Sequence, residues 1–175
     1  LAGHALLVAA DMDQAGALRL ALVDLNQPGI AREPGLSQQH LGLADLSFDG
    51  AAVQALLPAE ATPWLEQRAI ACAAAVQLGV TQEQLRRTVQ YVSERRQFDR
   101  QIGTFQLVAG QMADGYIATE VLRVSLWQLV WRLDAGLPCV PQAHATRTLA
   151  NELGHRTGHM AQHVHGGIGV DVTYP

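Results

Sequence analysis

Arg95-Arg-Gln-Phe98, Phe105-Gln106 and His165-Gly-Gly-Ile-Gly169 hold the residue types from which an anion site could be built. A guanidinium offers paired donors to two phosphate oxygens, and an amide near the start of a helix adds to the same field. Glycines let backbone N–H groups approach a ligand that a Cβ would keep away. Together these parts suit the pyrophosphate of a dinucleotide. Each also has a plain alternative. Arg95, Arg96 and Arg100 near a helix C-terminus complement its dipole, and a single glycine commonly ends a helix. Three glycines in the four residues 166–169 exceed what a cap needs. They follow a helix instead of joining a strand to one, so they are not a Rossmann fingerprint.

Other residues could carry different chemistry. His155, His159 and His163 stand at i, i+4 and i+8, and Glu152 precedes His155 at the spacing found in di-iron bundles. A second Glu-x-x-His is lacking, so no metal is expected. Glu66 and Glu120 are helix carboxylates that could act as bases, although Glu120 is also spaced to pair with Arg123. No nucleophile–histidine–acid arrangement is recognisable.

The elements that would position these residues fall into two classes. Over residues 1–57, Ala5-Leu-Leu-Val-Ala9 and Leu18–Val23 read as strands, Asn26-Gln-Pro-Gly29 as a turn, and Leu46–Gly50 as a further alternating stretch. These are too few strands to close a barrel. From Thr62-Pro63 the period becomes helical, and proline suits the first turn. Leu65, Ala69, Cys72, Val76, Val80, Leu85, Val89 and Val92 predict one apolar stripe on a helix running to about Arg96. Gly79 within it predicts close helix packing, and Cys72 a buried, inert thiol. A second helix is expected from Phe105 to the Gly136/Pro138 break. Its face is Val108, Met112, Thr119, Leu122, Leu126, Leu129 and Leu133, with Trp127 and Trp131 on a neighbouring face. A third is expected from about Gln142 to Gln162, broken at Gly166-Gly167. The predicted fold is α+β: part of a β-barrel domain (1–57), then an antiparallel up-and-down helical bundle (58–175).

Composition narrows the class. Hydrophobic residues make up 49% of the 175 and charged residues 16%, which is ample for a core. The net charge of −4 and the lack of a basic patch with interleaved aromatics argue against nucleic acid. All 12 cationic residues are arginine. Cys72 and Cys139 are too few for a disulfide framework. No apolar run reaches membrane-spanning length and no signal peptide is visible, so a cytoplasmic protein is expected. The chain opens without methionine and stops within a motif, from which a piece of a longer protein is expected.

Tyr91-Val-Ser-Glu-Arg-Arg-Gln-Phe98, Ile102-Gly-Thr-Phe-Gln106 and Met112-Ala-Asp114, followed by His165–Gly169 and Thr173-Tyr-Pro175, resemble the acyl-CoA dehydrogenases in order and separation. The likeness spans nearly the whole chain. It implies the later strands of a middle β domain and a C-terminal four-helix bundle, with FAD held between subunits. Residue by residue, it implies that Arg95 contacts the flavin pyrophosphate and Gln106 the adenine-nucleotide part. Phe98 and His163 belong to the same cofactor surface, and Gly166 and Gly167 pack on the FAD of a neighbouring subunit. The implied reaction is α,β-dehydrogenation of an acyl-CoA thioester, a carboxylate taking the α proton and the flavin a hydride. An electron-transfer flavoprotein or similar acceptor would follow, and a dimer of dimers is the expected assembly.

The departures from the family are specific. Its usual catalytic glutamate lies beyond the Tyr-Pro motif. In a minority it sits on the first bundle helix, where this chain has Ala69, with Glu66 one turn away. The base is therefore unassigned. His163 replaces a usual glutamine, and Asp99 replaces the glycine that usually follows Phe98. The histidine-rich loop is most similar to actinobacterial members, including subunits of heteromeric steroid side-chain dehydrogenases. A non-catalytic, FAD-binding or structural partner subunit is the alternative expectation.

Overall fold

The computed structural model describes all residues except 1, 2, 12, 14, 15, 38, 39, 172 and 175. The chain divides into two compact units, Leu1–Leu65 and Glu66–Pro175. The first is an open β structure. Strand β1 (His4–Asp11) pairs antiparallel with β2 (Ala17–Asp24), whose other edge takes the short β5 (Ala55–Leu56). A separate hairpin joins β3 (Ile30–Leu36) to β4 (Gly42–Phe48). Leu20, Ala21, Val23 and Leu25 are buried, so β2 supplies the centre of the small core. Arg19 reinforces it, pairing with Asp11 at 2.9 Å and donating to the Leu57 carbonyl from two nitrogens. The sequence periodicity had not shown β3, because Pro34 and Gly35 interrupt its strand pattern. Among the described residues there is no closed barrel.

The second unit is built on three helices: α1 (Ala61–Glu94), α2 (Gln106–Asp134) and α3 (Val140–His165). Between α1 and α2 lie a tight hairpin, β6 (Arg96–Gln97) with β7 (Arg100–Gln101), and a 3-10 turn over Ile102–Thr104. Pro141 enters the first turn of α3, where its missing N–H is not needed, and Gly166 closes the helix. The α+β class and the three-helix bundle expected from the sequence are what the structure shows.

The α1 stripe is a correction. Val76, Val80 and Val89 are exposed, and the buried seam is Ala71, Ala74, Leu78, Thr81, Leu85, Thr88 and Val92. These alternate at three and four residues, the heptad spacing of bundle seams. Cys72 falls beside this seam and is exposed, contrary to the expected burial; Cys139 is the buried thiol, 3.0 Å from the Gln67 side-chain oxygen. Gly79 is exposed as well, and a Cβ there would meet nothing within 4 Å. Close approach occurs elsewhere: a Cβ on Gly115 would come within 2.8 Å of Met160, and one on Gly154 would overlap Gln77. Leu122, Leu126 and Leu129 of α2 join Ala71, Ala74 and Leu78 of α1 and Ala143 and Ala150 of α3 in one core.

Candidate functional site

The site grows from the way α1 ends. Tyr91 and Arg95 lie four residues apart, hence on one helix face. The Arg95 backbone is fixed on both sides, its N–H donating to Tyr91 O and its carbonyl accepting from Ile102 N–H. The chain then reverses through Phe98 and Asp99, with φ of 52° and 64°. Two successive left-handed residues form the type I′ turn that suits a two-residue hairpin, and such positions favour glycine or asparagine. This explains why glycine is the favoured occupant where Asp99 stands. Arg96 closes the turn by donating to Asp99 O at 2.6 Å. The result is a bulky side chain on a strained backbone: Phe98 is 87% exposed at the tip. It meets Phe105 edge-on at 6.2 Å, and the Arg100 guanidinium covers Phe105 at 4.0 Å.

The other wall comes from the end of α3. The His165 ring stacks on Tyr91 at 4.3 Å with an interplanar angle of 22°. Its Nδ1 lies 2.7 Å from Ala161 O, the geometry of an N–H donated to that carbonyl. Gly166 follows with φ 66° and ψ −139°, a conformation close to glycine-only territory. Gly169 is needed for a different reason, since a Cβ would lie 2.9 Å from Gln162 O. Gly167 has neither constraint: nothing in the chain comes within 4 Å of a Cβ built there. Beyond the loop, Asp171 accepts hydrogen bonds from the Thr173 backbone and hydroxyl, which hold its carboxyl below the ordinary range.

Between these walls lies an open cavity of about 410 Å³ lined by Tyr91, Arg95, Phe98, Phe105, His163 and His165, among others. No carboxylate lines it, and the Arg95 guanidinium has no ion-pair partner among the described residues. It is an aromatic hollow with one fixed positive charge, chemistry suited to a phosphate attached to a planar ring. Of the residues singled out from the sequence, Arg95, Phe98 and His163 meet here. Gln106 is the exposed first residue of α2 and is not in the lining; Gly166 and Gly167 lie past His165, also outside it. Tyr91 and His165 are the contributors that sequence reasoning passed over. Both were within the quoted motifs, and the i, i+4 relation of Tyr91 to Arg95 was the available signal.

A second, larger cavity of about 1010 Å³ opens on the other side of His165, between α1 and α3. Glu83, Gln84, Gln162 and Tyr174 line it, as does the exposed Gly79. Hydrogen bonds from Arg86 and then Arg87 pull the Glu83 carboxyl down to about 2. Glu120 is bound bidentately by Arg123, as its spacing predicts. The histidine series splits: His155 and His159 touch, with Nε2 atoms 3.1 Å apart, whereas His163 turns to the Arg95 cavity. Among the described residues, no three or more metal-ligating side chains converge. Among the same residues, no helix is long and apolar enough to cross a membrane.

Comparison with known proteins agrees with this architecture. Residues 65–175 match the family described as "Acyl-CoA dehydrogenase, C-terminal domain". Acyl-CoA dehydrogenase FadE27 of Mycobacterium tuberculosis is 38% identical over 98% of this chain and 48% of its own length. FadE28 of the same organism is 33% identical over 74% of this chain and 39% of its own. Among solved structures, a variant of the Tcur3481-Tcur3483 steroid ACAD superposes with a TM-score of 0.93 at 41% identity, over 99% of this chain and 47% of the other. The ChsE4-ChsE5 complex from Mycobacterium tuberculosis gives 0.88 at 35% identity, over 97% of this chain and 46% of the other. The chain thus spans about half the length of the relatives it matches. With the helical unit matched throughout and so much of the β unit shared with FadE27, the chain belongs to the acyl-CoA dehydrogenase family.

Proposed function

We propose that this chain is the cofactor-facing half of an FAD-dependent acyl-CoA dehydrogenase that forms an α,β double bond in an acyl-CoA thioester. The acyl part would be a steroid side chain or a fatty acyl group, and the working form an oligomer that passes electrons to an electron-transfer flavoprotein or similar acceptor. The observation that carries this reading is the Arg95 cavity: an unpaired guanidinium among aromatic rings, beside a glycine loop in which Gly167 is left open. The steroid side of the proposal is supported by the similarity to the Tcur3481-Tcur3483 steroid ACAD.

The residues present fit FAD. Arg95 would donate a forked pair of N–H bonds to the pyrophosphate, and Phe98, Phe105 and Tyr91 would offer ring faces. His163 supplies a ring nitrogen at the same wall, and Gln106 an amide at the start of α2. Gly166 and Gly167 would let backbone reach the cofactor of a neighbouring subunit. Hydride removal from the acyl β carbon, once the α proton is lost, is chemistry that bound FAD supplies. The base for proton removal is unassigned: the family's usual position follows the Tyr-Pro motif, the α1 position holds Ala69, and Glu66 lies a turn away on an exposed surface.

The likeness to the ChsE4-ChsE5 complex favours a second reading, in which the chain is a non-catalytic partner holding FAD while a sister subunit supplies the base. The ChsE4-ChsE5 structure is described as a complex of two components, which is the precedent for such an assembly. The test is to purify the protein containing this chain alone and with a sister subunit, and record flavin absorbance and bleaching by acyl-CoAs. Arg95→Ala should cut flavin retention at least tenfold with helix content unchanged; retention at the wild-type level would overturn the flavin reading. Bleaching by the lone protein supports the enzyme, and bleaching only with the sister supports the partner role.

A further inference from the structure

Helix α3 carries its core on one side and a histidine pair on the other. Gly154, Thr157 and Ala161 are buried in the bundle, whereas Glu152, His155 and His159 are exposed on the opposite face. Side chains four residues apart are neighbours on a helix, but exposed ones need not touch. These two do. Their Nε2 atoms lie 3.1 Å apart, and the rings meet edge to face at 4.3 Å. Neither ring has a carboxylate partner among the described residues. Arg156, the cation nearest in sequence, is drawn to Asp114 at 3.3 Å, on the side facing α2.

Contact between two ring nitrogens has two explanations. One is a neutral hydrogen bond, with one Nε2 protonated and the other accepting. On an exposed face water competes for both nitrogens, so that bond gives the rings little reason to meet. The other is a preformed chelate. Two nitrogens at about 2.0–2.1 Å from one ion stand about 2.9 Å apart at a right angle and about 3.4 Å apart at a tetrahedral one. The observed 3.1 Å falls between these limits. Ligation needs both Nε2 lone pairs, so the protonated ring moves its proton to Nδ1 and none is released. Imidazole nitrogen suits Zn2+, Cu2+ and Ni2+, and on an open face water completes the coordination. Glu152 lies one turn before His155 on the same face, without an ion-pair partner among the described residues, and its charge favours a cation there.

We propose that His155 and His159 form a two-imidazole chelate for a late first-row divalent cation on the outer face of α3. The ion would bridge consecutive turns and bind only the folded helix, clamping the stretch that leads into His163–Gly169. Such a site needs no second Glu-x-x-His, because it lies on the surface and not between helices. It is independent of the flavin reading, since neither the Arg95 cavity nor the larger one includes these residues.

The test uses the whole protein without a polyhistidine tag, in a Cys72→Ser background because Cys72 is exposed. After metal is stripped with a chelator, calorimetric titration with Zn2+ should show about one saturable site per chain. His155→Gln and His159→Gln should each weaken it at least tenfold, with helix content unchanged. His144→Gln and His163→Gln should leave it within about twofold. His144 has no histidine four residues away, and His163 turns to the Arg95 cavity. Imidazolium cannot ligate, so binding should fall at least tenfold from about pH 7.5 to about pH 5.5. With both histidines in place, Zn2+ should shield them from an imidazole-acylating reagent, read by mass spectrometry, and a chelator should restore labelling. No saturable uptake below about 1 mM would overturn the proposal. So would binding that survives both His155→Gln and His159→Gln, or that His163→Gln abolishes and His155→Gln spares.

Discussion

Glycines 166, 167 and 169 look alike in the sequence, yet their neighbours separate them. Gly166 sits at φ 66° and ψ −139°, Gly169 presses against Gln162 O, and Gly167 faces open space. A side chain at Gly166 forces strain into the end of α3. Gly166→Ala should therefore lower unfolding free energy by about 1–3 kcal/mol in a denaturant titration. Gly167→Ala meets no steric or conformational obstacle inside the chain, and its stability should stay within about 0.5 kcal/mol of wild type. If the loop packs on FAD, the same change should weaken flavin retention at least tenfold. Equal stability losses for both variants, with flavin untouched by Gly167→Ala, would mean that the loop is only a helix cap. The motif was legible as a glycine cluster; which glycine serves the backbone and which serves something outside it was not. That distinction depends on contacts such as Gly169 to Gln162 O, which only the folded loop creates.

At the scale of elements, helix boundaries were readable because the signals are local. Thr62-Pro63 opens α1, Pro141 lies in the first turn of α3 and Gly166 ends it. Which face of α1 is buried was not readable, because the seam uses alanine and threonine while valines occupy the outside. Ala71, Thr81, Thr88, Thr146 and Thr157 are buried by helix proximity more than by their own hydrophobicity. On α2 leucines dominate the seam, and there the sequence pattern found it. The buried threonines are not equivalent. Thr146 shares a 2.8 Å hydrogen bond with Ser125 across α2 and α3, whereas the buried Thr157 hydroxyl has no partner among the described residues. Thr146→Val removes the hydroxyl that Ser125 and Gln142 share, leaving Ser125 bonded by Gln142 alone, and should cost about 1–2 kcal/mol. Thr157→Val keeps the shape and removes an unsatisfied group, so it should be neutral or stabilise by up to about 1 kcal/mol. A Thr146→Val melt no lower than wild type would show that the Ser125–Thr146 bond does not anchor the bundle, and a lowered Thr157→Val melt would show that the Thr157 hydroxyl does contribute.

For the whole molecule, the question is whether one chain can complete a flavin site. His163 joins Arg95 in the aromatic cavity, but Gly166 and Gly167 lie outside its lining. The family resemblance implies that the glycine loop packs on a neighbouring subunit's FAD, so Arg95 and Gly167 of one chain would serve different flavins. Mixed oligomers decide the matter. Arg95→Ala and Gly167→Ala chains, each unable to retain flavin alone, would be co-expressed at equal levels. In a two-fold dimer with shared sites, every mixed dimer has one doubly damaged site and one intact site. Random pairing makes half the dimers mixed, so about a quarter of all sites should recover flavin. If Arg95 and Gly167 of the same chain close on the same flavin, every site carries a defect and none recovers. The readout is flavin absorbance per protein after gel filtration, with both chains tagged to confirm mixing. Recovery near a quarter would establish the subunit interface as part of the cofactor site; no recovery from verified mixed dimers would place both contacts on one flavin. The experiment thus reads out an arrangement between subunits that neither motif could reveal, because spacing along a chain does not say which copy completes a pocket.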